Sequence, residues 1–504
     1  MSIIYLIRLL FKILLFSLAT TLILLVIHQS QLPKANGDVK SAHLAQLNIK
    51  NQEPMDKIVL MTTKNSVTRN HPQQHCSNIT RPTADDIQWR NHRWQYFING
   101  IREVYILDAY YDDRGDVPLI RICPVAVVPE GHLPGDDTLY ALLWYDDLAN
   151  PIPVTCPCKA NHTTSFWHIK KKQYGILYHD IALNRTDRLP THISMMAAPC
   201  AQPKTYLKVV IPEKPKSPSR DIGLCVKAIW GDFTYRNAPY FVNWMESLRI
   251  LGLKRVYIYT SGLNLRDDVI KRVFSHYVKS GFLYTEFLHN NLYETPQVEM
   301  NKQISQALVL TVINDCFLRH MHKYEFMLHH DTDEILIPRH NQTYRQLLDD
   351  FMGEDERYVN YEALLSRSAF FYTYYEASHR EQPAYMTFLR HAYRQPIEIP
   401  GVTWHRGNGV MKAFMNSRTC ALMNIHGCKR TVRGDGSRGY GHTFIPPQSV
   451  IIHHYRSECK LKGRCETEVE RRLVDTTIRD TFGRALTINV RDVLQSAGYF
   501  SYAL

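Results

Sequence analysis

Six consecutive residues near the middle of the chain, His329, His330, Asp331, Thr332, Asp333 and Glu334, put two imidazoles beside three carboxylates. In an extended Asp-x-Asp both carboxylates can turn onto one hard cation, whose remaining positions go to water and a diphosphate. The chain contains no GxxxxGK[ST] phosphate loop, so a metal is the natural means of neutralising a nucleotide diphosphate here. Asp-x-Asp alone is a common surface turn; its meaning depends on what positions it.

The elements around it do point to a site. LCVKAIWG reads as a strand, Pro239 to Leu251 as a helix, RVYIYTS as a strand, Arg266 to Lys279 as a helix and GFLYTEFL as a strand. A long helix follows across Gln303 to Arg319, with Ile304, Leu308 and Val312 in one i, i+4 row, and then the strand YEFMLHH. Alternation of this kind predicts an α/β fold with a mostly parallel sheet flanked by helices on both faces. Such sheets bind ligands at the carboxyl ends of their strands, where Asp331 and Asp333 fall.

The rest of the chain has a different rhythm. From Trp89 to about Ala201, short runs rich in aromatic and β-branched residues alternate with Gly, Pro, Asp and Asn, an antiparallel pattern that predicts a β-rich, sandwich-like domain over 88–211. PEKPKSPS (Pro212 to Ser219) reads as a linker, and 220–504 as the α/β domain. Residues 29–87 are polar, aperiodic and contain Pro33, Gly37, Pro54 and Pro72, as expected of a stem.

Leu9 to Ile27 (LLFKILLFSLATTLILLVI) is almost wholly apolar and, at about 20 residues, long enough to span a bilayer. Arg8 and Lys12 flank its N-terminal end, which predicts a short cytoplasmic tail (1–8), an uncleaved signal anchor (9–28) and a single-pass type II orientation with the remainder lumenal. All eleven Cys and four Asn-x-Ser/Thr sequons (Asn78, Asn161, Asn184, Asn341) lie beyond the anchor, in keeping with an oxidising, glycosylating compartment. An odd count leaves one thiol free or paired with another chain, and so leaves a homodimer open. Cys420 with Cys428, and Cys459 with Cys465, are close enough to close small loops.

With 45% apolar and 21% charged residues the chain is neither disordered nor fibrous. The formal charge is +12, and residues 401–504 carry 16 Lys/Arg against 8 Asp/Glu. That excess lacks the long basic runs and motifs of nucleic-acid binders, so no nucleic-acid partner is expected; a pocket for anionic substrates is.

NDCFLR (Asn314 to Arg319), YEFMLHHDTDEILIP (Tyr324 to Pro338), a Lys followed by a His (Lys412, His426) and HHYR (His453 to Arg456) together resemble glycosyltransferase family 92, over roughly Leu224 to Cys459. The resemblance implies a Golgi type II membrane enzyme of GT-A fold, a metal-dependent inverting β-galactosyltransferase using UDP-galactose and Mn²⁺ on a glycan acceptor, which in invertebrate members includes fucose of N-glycan cores. It implies Asp331 and Asp333 as metal ligands, with His454 and then His426 as the further ligand, and Lys412 and Arg456 against the diphosphate. Strand alternation points Glu334 away from Asp333, toward a basic group or the acceptor. Asp315 and Arg319, i and i+4, are either an exposed ion pair or a buttress of the site.

Inversion also needs a carboxylate base. Glu362, Glu376, Glu381, Glu398 and Asp435 all follow the Asp-x-Asp. Glu376, after the aromatic AFFYTYY, has the most suitable setting because aromatic faces stack on sugar rings; Glu398 is the reserve. The Gly-rich, basic run Lys429 to His442 resembles a loop that closes over a nucleotide. Two other readings stand beside this one: a membrane-anchored glycan-binding protein with an inactive transferase domain, and a transferase of the same fold with another donor sugar.

Overall fold

The computed structural model describes residues 79–130, 138–157, 166–169, 172–185, 187–217, 219–287, 308–340, 342–397, 411–432, 441–458 and 470–502, all within one compact unit, His71–Leu504. The apolar segment Leu9 to Ile27, almost all of the stem, Asn78, Asn161 and Asn341, Cys459 with Cys465, Glu398, and residues 433–440 with Asp435 lie outside the described residues. Asn184 is exposed. Among the described residues no helix is long and apolar enough to cross a membrane.

The β-rich region forms two sheets. Five strands run in the spatial order Gln95–Asn99, Arg102–Ile106, Val125–Pro129, Lys172–Ile176, Phe166–Ile169, antiparallel throughout. Seven strands make the second sheet, antiparallel except where Leu207–Val210 returns alongside Ala109–Asp112. Phe97, Val104 and Ile106 of the first sheet and Ile120, Leu139 and Ile193 of the second bury into one cluster, the core expected when two half-apolar sheets face each other.

The α/β region starts with strand β1 (Ile222–Phe233), helix α1 (Ala238–Ile250), β2 (Arg255–Leu265), α2 (Asp268–Lys279), β3 (Leu283–Phe287), α3 (Val309–His320) and β4 (Phe326–His329). It continues through β5 (Glu334–Pro338), α4 (Tyr344–Gly353), β6 (Ala363–Tyr372), β7 (Met411–Asn416), β8 (Cys420–Asn424), β9 (Gly427–Thr431), β10 (Val450–Arg456) and α5 (Thr477–Ser496). Helix ends carry their expected chemistry: Asp267 accepts from the Ile270 N–H at 3.0 Å to cap α2, and Thr343 with Gln346 forms a capping box on α4.

The central sheet is ordered β3-β2-β1-β4-β7-β6. Its first four strands are parallel, as the alternation predicts. Beyond β4 the parallel pairing that the alternation predicts is interrupted, because β7 is antiparallel to both β4 and β6. β6 returns to the direction of the first four strands and pairs in parallel with β10, so the sheet is mixed.

Successive residues of β1 serve two cores. Leu224 and Val226 pack with α1, α2 and α5, while Cys225 faces α3 and the β-rich region, in one cluster with Tyr110, Tyr174, Tyr259 and Phe317. Apolar packing therefore runs unbroken from the β-rich region into the sheet. The segment Pro212 to Ser219 carries the chain between regions that share a core.

Side chains of the β4 segment fill the space over Gly223 of β1. A Cβ on Gly223 would come within 2.8 Å of the Met327 Sδ and 2.9 Å of the Tyr324 ring, so only glycine fits there. This approach sets the register Cys225↔His329, and His329 Nδ1 lies 2.9 Å from the Cys225 carbonyl.

Candidate active site

The chain leaves β4 at His329, turns through Asp331-Thr332-Asp333 and enters β5 at Glu334, with the Glu334 N–H donating to the Asp331 carbonyl at 3.1 Å. The Glu334 carboxylate folds back under this turn. It accepts the Asp331 N–H at 3.0 Å, pairs with Lys412 Nζ at 2.9 Å and lies 3.2 Å from His454 Nδ1. Both Glu334 and Lys412 are buried. Lys412 thus meets a carboxylate beneath the turn. Burial opposes its charge, yet Glu334 and Asp331 hold its pKa above the ordinary lysine value.

Asp331 and Asp333 face outward from this base. Asp331 Oδ1 pairs with Lys227 Nζ at 3.0 Å, and its side chain is a quarter exposed. Burial raises the Asp331 pKa, but Lys412 and Lys227 outweigh it and leave the carboxyl well below the usual range. Asp333 Oδ2 lies 3.2 Å from His454 Nε2, so the imidazole sits between Glu334 and Asp333. That position follows from the sheet: β5 and β10 pair antiparallel with Glu334 opposite His454, and the Tyr455 N–H donates to the Asp333 carbonyl at 2.8 Å.

Arg456 lies with its guanidinium 5.0 Å from the centre of the Phe370 ring, whose other neighbour is His454 at 5.1 Å. His426 sits in the β8–β9 hairpin, its Nδ1 2.8 Å from the carbonyl of Met411, the residue before Lys412. Glu376 is half exposed and paired with Arg380, three residues past Thr373. Glu362 is buried and Glu381 lies 3.2 Å from His379.

Next to Asp333 opens a cavity of about 390 Å³, lined by Phe233, Tyr240, Thr332, Asp333, Thr373 and Tyr455 among others. Tyr240 belongs to the first turn of α1, and Tyr455 to β10. Lys227 and these two tyrosines were missed in the sequence. Lys227 was open to discovery, being two residues past Cys225, which stands opposite His329 at the carboxyl end of β4, where such sheets bind ligands.

A brace under the site comes from NDCFLR. The Asn314 amide donates to the Leu310 and Met423 carbonyls and accepts the Met423 N–H, and Cys316 forms a disulfide with Cys225 on β1. Asp315 is buried, accepting from the Tyr110 and Tyr259 hydroxyls and from Arg319 at 3.0 Å. It is therefore not an exposed ion pair. Cys420–Cys428 closes the β8–β9 hairpin, a small loop that the spacing allowed.

The family model described as Glycosyltransferase family 92 matches residues 220–486, more than half of the chain. This chain belongs to glycosyltransferase family 92. The match covers the whole central sheet and every site element described above, and the family 92 protein is a transferase of glycosyl groups. No curated protein matches it.

Among the described residues, no three His, Cys, Asp or Glu side chains converge as a ready-made metal cage. What the site offers is partial: two carboxylates on one turn and an imidazole whose Nε2 points at Asp333 while its Nδ1 faces Glu334. An imidazole oriented by a carboxylate behind it is a common arrangement for a ligand. Hard oxygen and borderline nitrogen donors fit Mn²⁺ or Mg²⁺ that takes its other ligands from a bound diphosphate.

Proposed function

We propose that this family 92 protein is a metal-dependent, inverting β-galactosyltransferase that moves galactose from UDP-galactose to a glycan acceptor, and that its α/β region is a GT-A fold. The reading rests on one observation above others: Asp331 and Asp333 flank a turn at the carboxyl end of β4, with Lys227, Lys412 and His454 gathered around it. The strand order β3-β2-β1-β4-β7-β6 supports the fold assignment.

In this reading Asp331, Asp333 and His454 hold Mn²⁺, with His426 as the alternative imidazole, and the ion supplies neutralisation of the charge that builds on UDP as it leaves. Lys227 adds positive charge on the Asp331 side, and Arg456 reaches the diphosphate from beside Phe370. Lys412 pairs with Glu334, and Glu334 in turn orients the imidazole of His454. The acceptor oxygen attacks the anomeric carbon as the bond to the UDP oxygen breaks, and its proton passes to a carboxylate. Glu376 is assigned that base, exchanging Arg380 for the acceptor hydroxyl; Glu398 is the reserve. The protein works as a single-pass type II membrane enzyme of the Golgi, its catalytic region lumenal.

The test is the purified full chain incubated with UDP-sugars and Mn²⁺ against fucosylated and galactosylated N-glycans. Galactose transfer that stops in EDTA, returns with Mn²⁺ and gives a β linkage by NMR is the expected result. Full activity in EDTA removes the metal, and an α-linked product removes inversion. Transfer from a different UDP-sugar replaces the donor. Glycan binding without any transfer replaces the enzyme. Glu376→Gln should lower kcat by roughly 10² to 10⁴ with UDP affinity unchanged.

A further inference from the structure

The β-rich and α/β regions meet through a chain of charges. Arg319 of α3 donates from one nitrogen to Asp315 at 3.0 Å and to Asp108 at 2.7 Å. Asp108 lies between the strands Arg102–Ile106 and Ala109–Asp112 of the β-rich region, and the same oxygen, Oδ2, also faces Arg93 at 3.5 Å. Arg93 then donates to Glu286 of β3 at 2.6 Å. Three carboxylates therefore alternate with two guanidiniums across the contact between the regions, which leaves one negative charge unbalanced. Among the described residues, the other groups that face the cluster do not balance it. The Tyr110 and Tyr259 hydroxyls donate to Asp315, and burial keeps both protonated. Burial likewise holds the Cys123 thiol and the imidazole of His320, at the end of α3, in their neutral forms.

One proton would make the cluster neutral, and the geometry selects where it goes. Asp315 is disfavoured: burial raises its pKa, but Arg319 and the two hydroxyls outweigh burial and leave it below the usual range. Asp108 is favoured. Burial first, and then the neighbouring Asp315 charge, raises its carboxyl to about 6, against about 3.9 for an ordinary aspartate. Glu286 is shifted upward by the same two causes. Both guanidinium contacts of Asp108 use Oδ2, which leaves Oδ1 to carry the proton. The Asp108 side chain is 20% exposed, so solvent can deliver it.

We propose that Asp108, Asp315 and Glu286 with Arg93 and Arg319 form a proton-operated clasp, which takes up one proton in mildly acidic surroundings and holds the β-rich and α/β regions together more firmly there than at neutral pH. The sign follows from linkage. A carboxyl that protonates more readily in the closed contact than in the open one leaves its repulsion fully present above about pH 7 and relieved as pH falls through 6 toward 4. His320 acts in the opposite sense, because its depressed pKa makes the unfolded chain the better proton acceptor. The clasp is therefore read from a comparison at each pH and not from the overall acid response. It stands apart from the transferase reading, since neither a nucleotide sugar nor a metal enters it.

Hydrogen exchange of the full-length protein, followed by mass spectrometry at pH 7.5 and pH 5.5, reads the contact directly. The comparison is with Asp108→Asn at the same pH, so the intrinsic pH dependence of exchange cancels. The Asn side chain keeps the shape of the carboxyl and can accept from both guanidiniums, but it has no proton to gain. Between pH 7.5 and pH 5.5 the unmutated protein should gain about fourfold in protection over the variant across Ala109–Asp112 and α3, with α4 unchanged. That factor is the proton uptake of a group titrating at about 6 in the closed contact and about 3.9 in the open one. No gain at the contact overturns the clasp. An equal gain in α4 overturns it as well, because the proton then acts on the fold as a whole. Should Asp108→Asn fail to fold, the unmutated protein decides alone: the ratio of protection at the contact to protection in α4 rises about fourfold on acidification if the clasp operates, and a flat ratio removes it.

Discussion

Two charge clusters lie near β1, and they use similar residues to opposite ends. On the α3 side Asp315 is saturated: two tyrosine hydroxyls and Arg319 satisfy it, Arg319 also holds Asp108 at 2.7 Å, and Arg93 joins Asp108 to Glu286. Tyr110, Asp108 and Arg93 come from the β-rich region, while Asp315, Arg319, Tyr259 and Glu286 come from the α/β region. In the other cluster Asp331 and Asp333 remain partly exposed. A buried carboxylate answered by donors of the protein is structure. One that stands open at the end of a strand is where a ligand goes.

The Cys225–Cys316 disulfide connects the two clusters, since Cys225 is in register with His329 and Cys316 follows Asp315. It therefore offers the largest expected effect. With 91 residues between its ends, its removal by Cys225→Ala with Cys316→Ala should cost about 4–5 kcal/mol, against about 2.5 kcal/mol for Cys420–Cys428 with its separation of 8. Denaturant unfolding of the two double variants checks the order; equal losses would mean that the long bridge contributes no special bracing.

Arg319→Met comes next. Leaving Asp315 and Asp108 without their shared guanidinium should destabilise the fold by about 3–5 kcal/mol, with activity per folded molecule nearly unchanged. A variant that unfolds normally but loses turnover would move the Asp315 cluster from the structural side of the comparison to the functional one.

Asp331→Asn should behave in the reverse manner: turnover at least about a hundredfold lower, equivalent to about 2.7 kcal/mol, with the unfolding midpoint changed little. Normal turnover in this variant would remove the contrast altogether.

A smaller effect concerns pH on the α3 side. His320, at the end of α3, stacks on Tyr257 at 4.0 Å, and its pKa is brought down to about 3, first by burial and then by Lys323 and Arg319. A folded-state pKa below the unfolded value near 6.5 means that the unfolded chain takes up the proton first. Stability is thus full above about pH 6.5 and declines as pH falls toward 3, by at most about 1.4 kcal/mol per pH unit from this residue. His320→Phe should flatten that decline, as followed by thermal unfolding between pH 7 and pH 5. An unchanged slope would place the acid sensitivity in other groups.

Local pattern was enough to locate the Asp331-Thr332-Asp333 turn at the end of a fourth strand, because strand and helix periodicities and the rule that ligands gather at carboxyl ends are properties of nearest neighbours in sequence. The same holds for the β-rich region and for the inward turn of Glu334 away from Asp333, which follows from alternation along a strand. The antiparallel β7 within the sheet, the sharing of one core across Pro212 to Ser219, and the burial of Asp315 between two regions needed the tertiary structure. So did the meeting of Lys227, Lys412 and His454 at one turn, although they lie 104, 81 and 123 positions from Asp331 or its neighbours by the residue numbers themselves. Spacing in the chain carries no information about which strand lies beside which, and the partners of a buried charge are chosen by that neighbourhood.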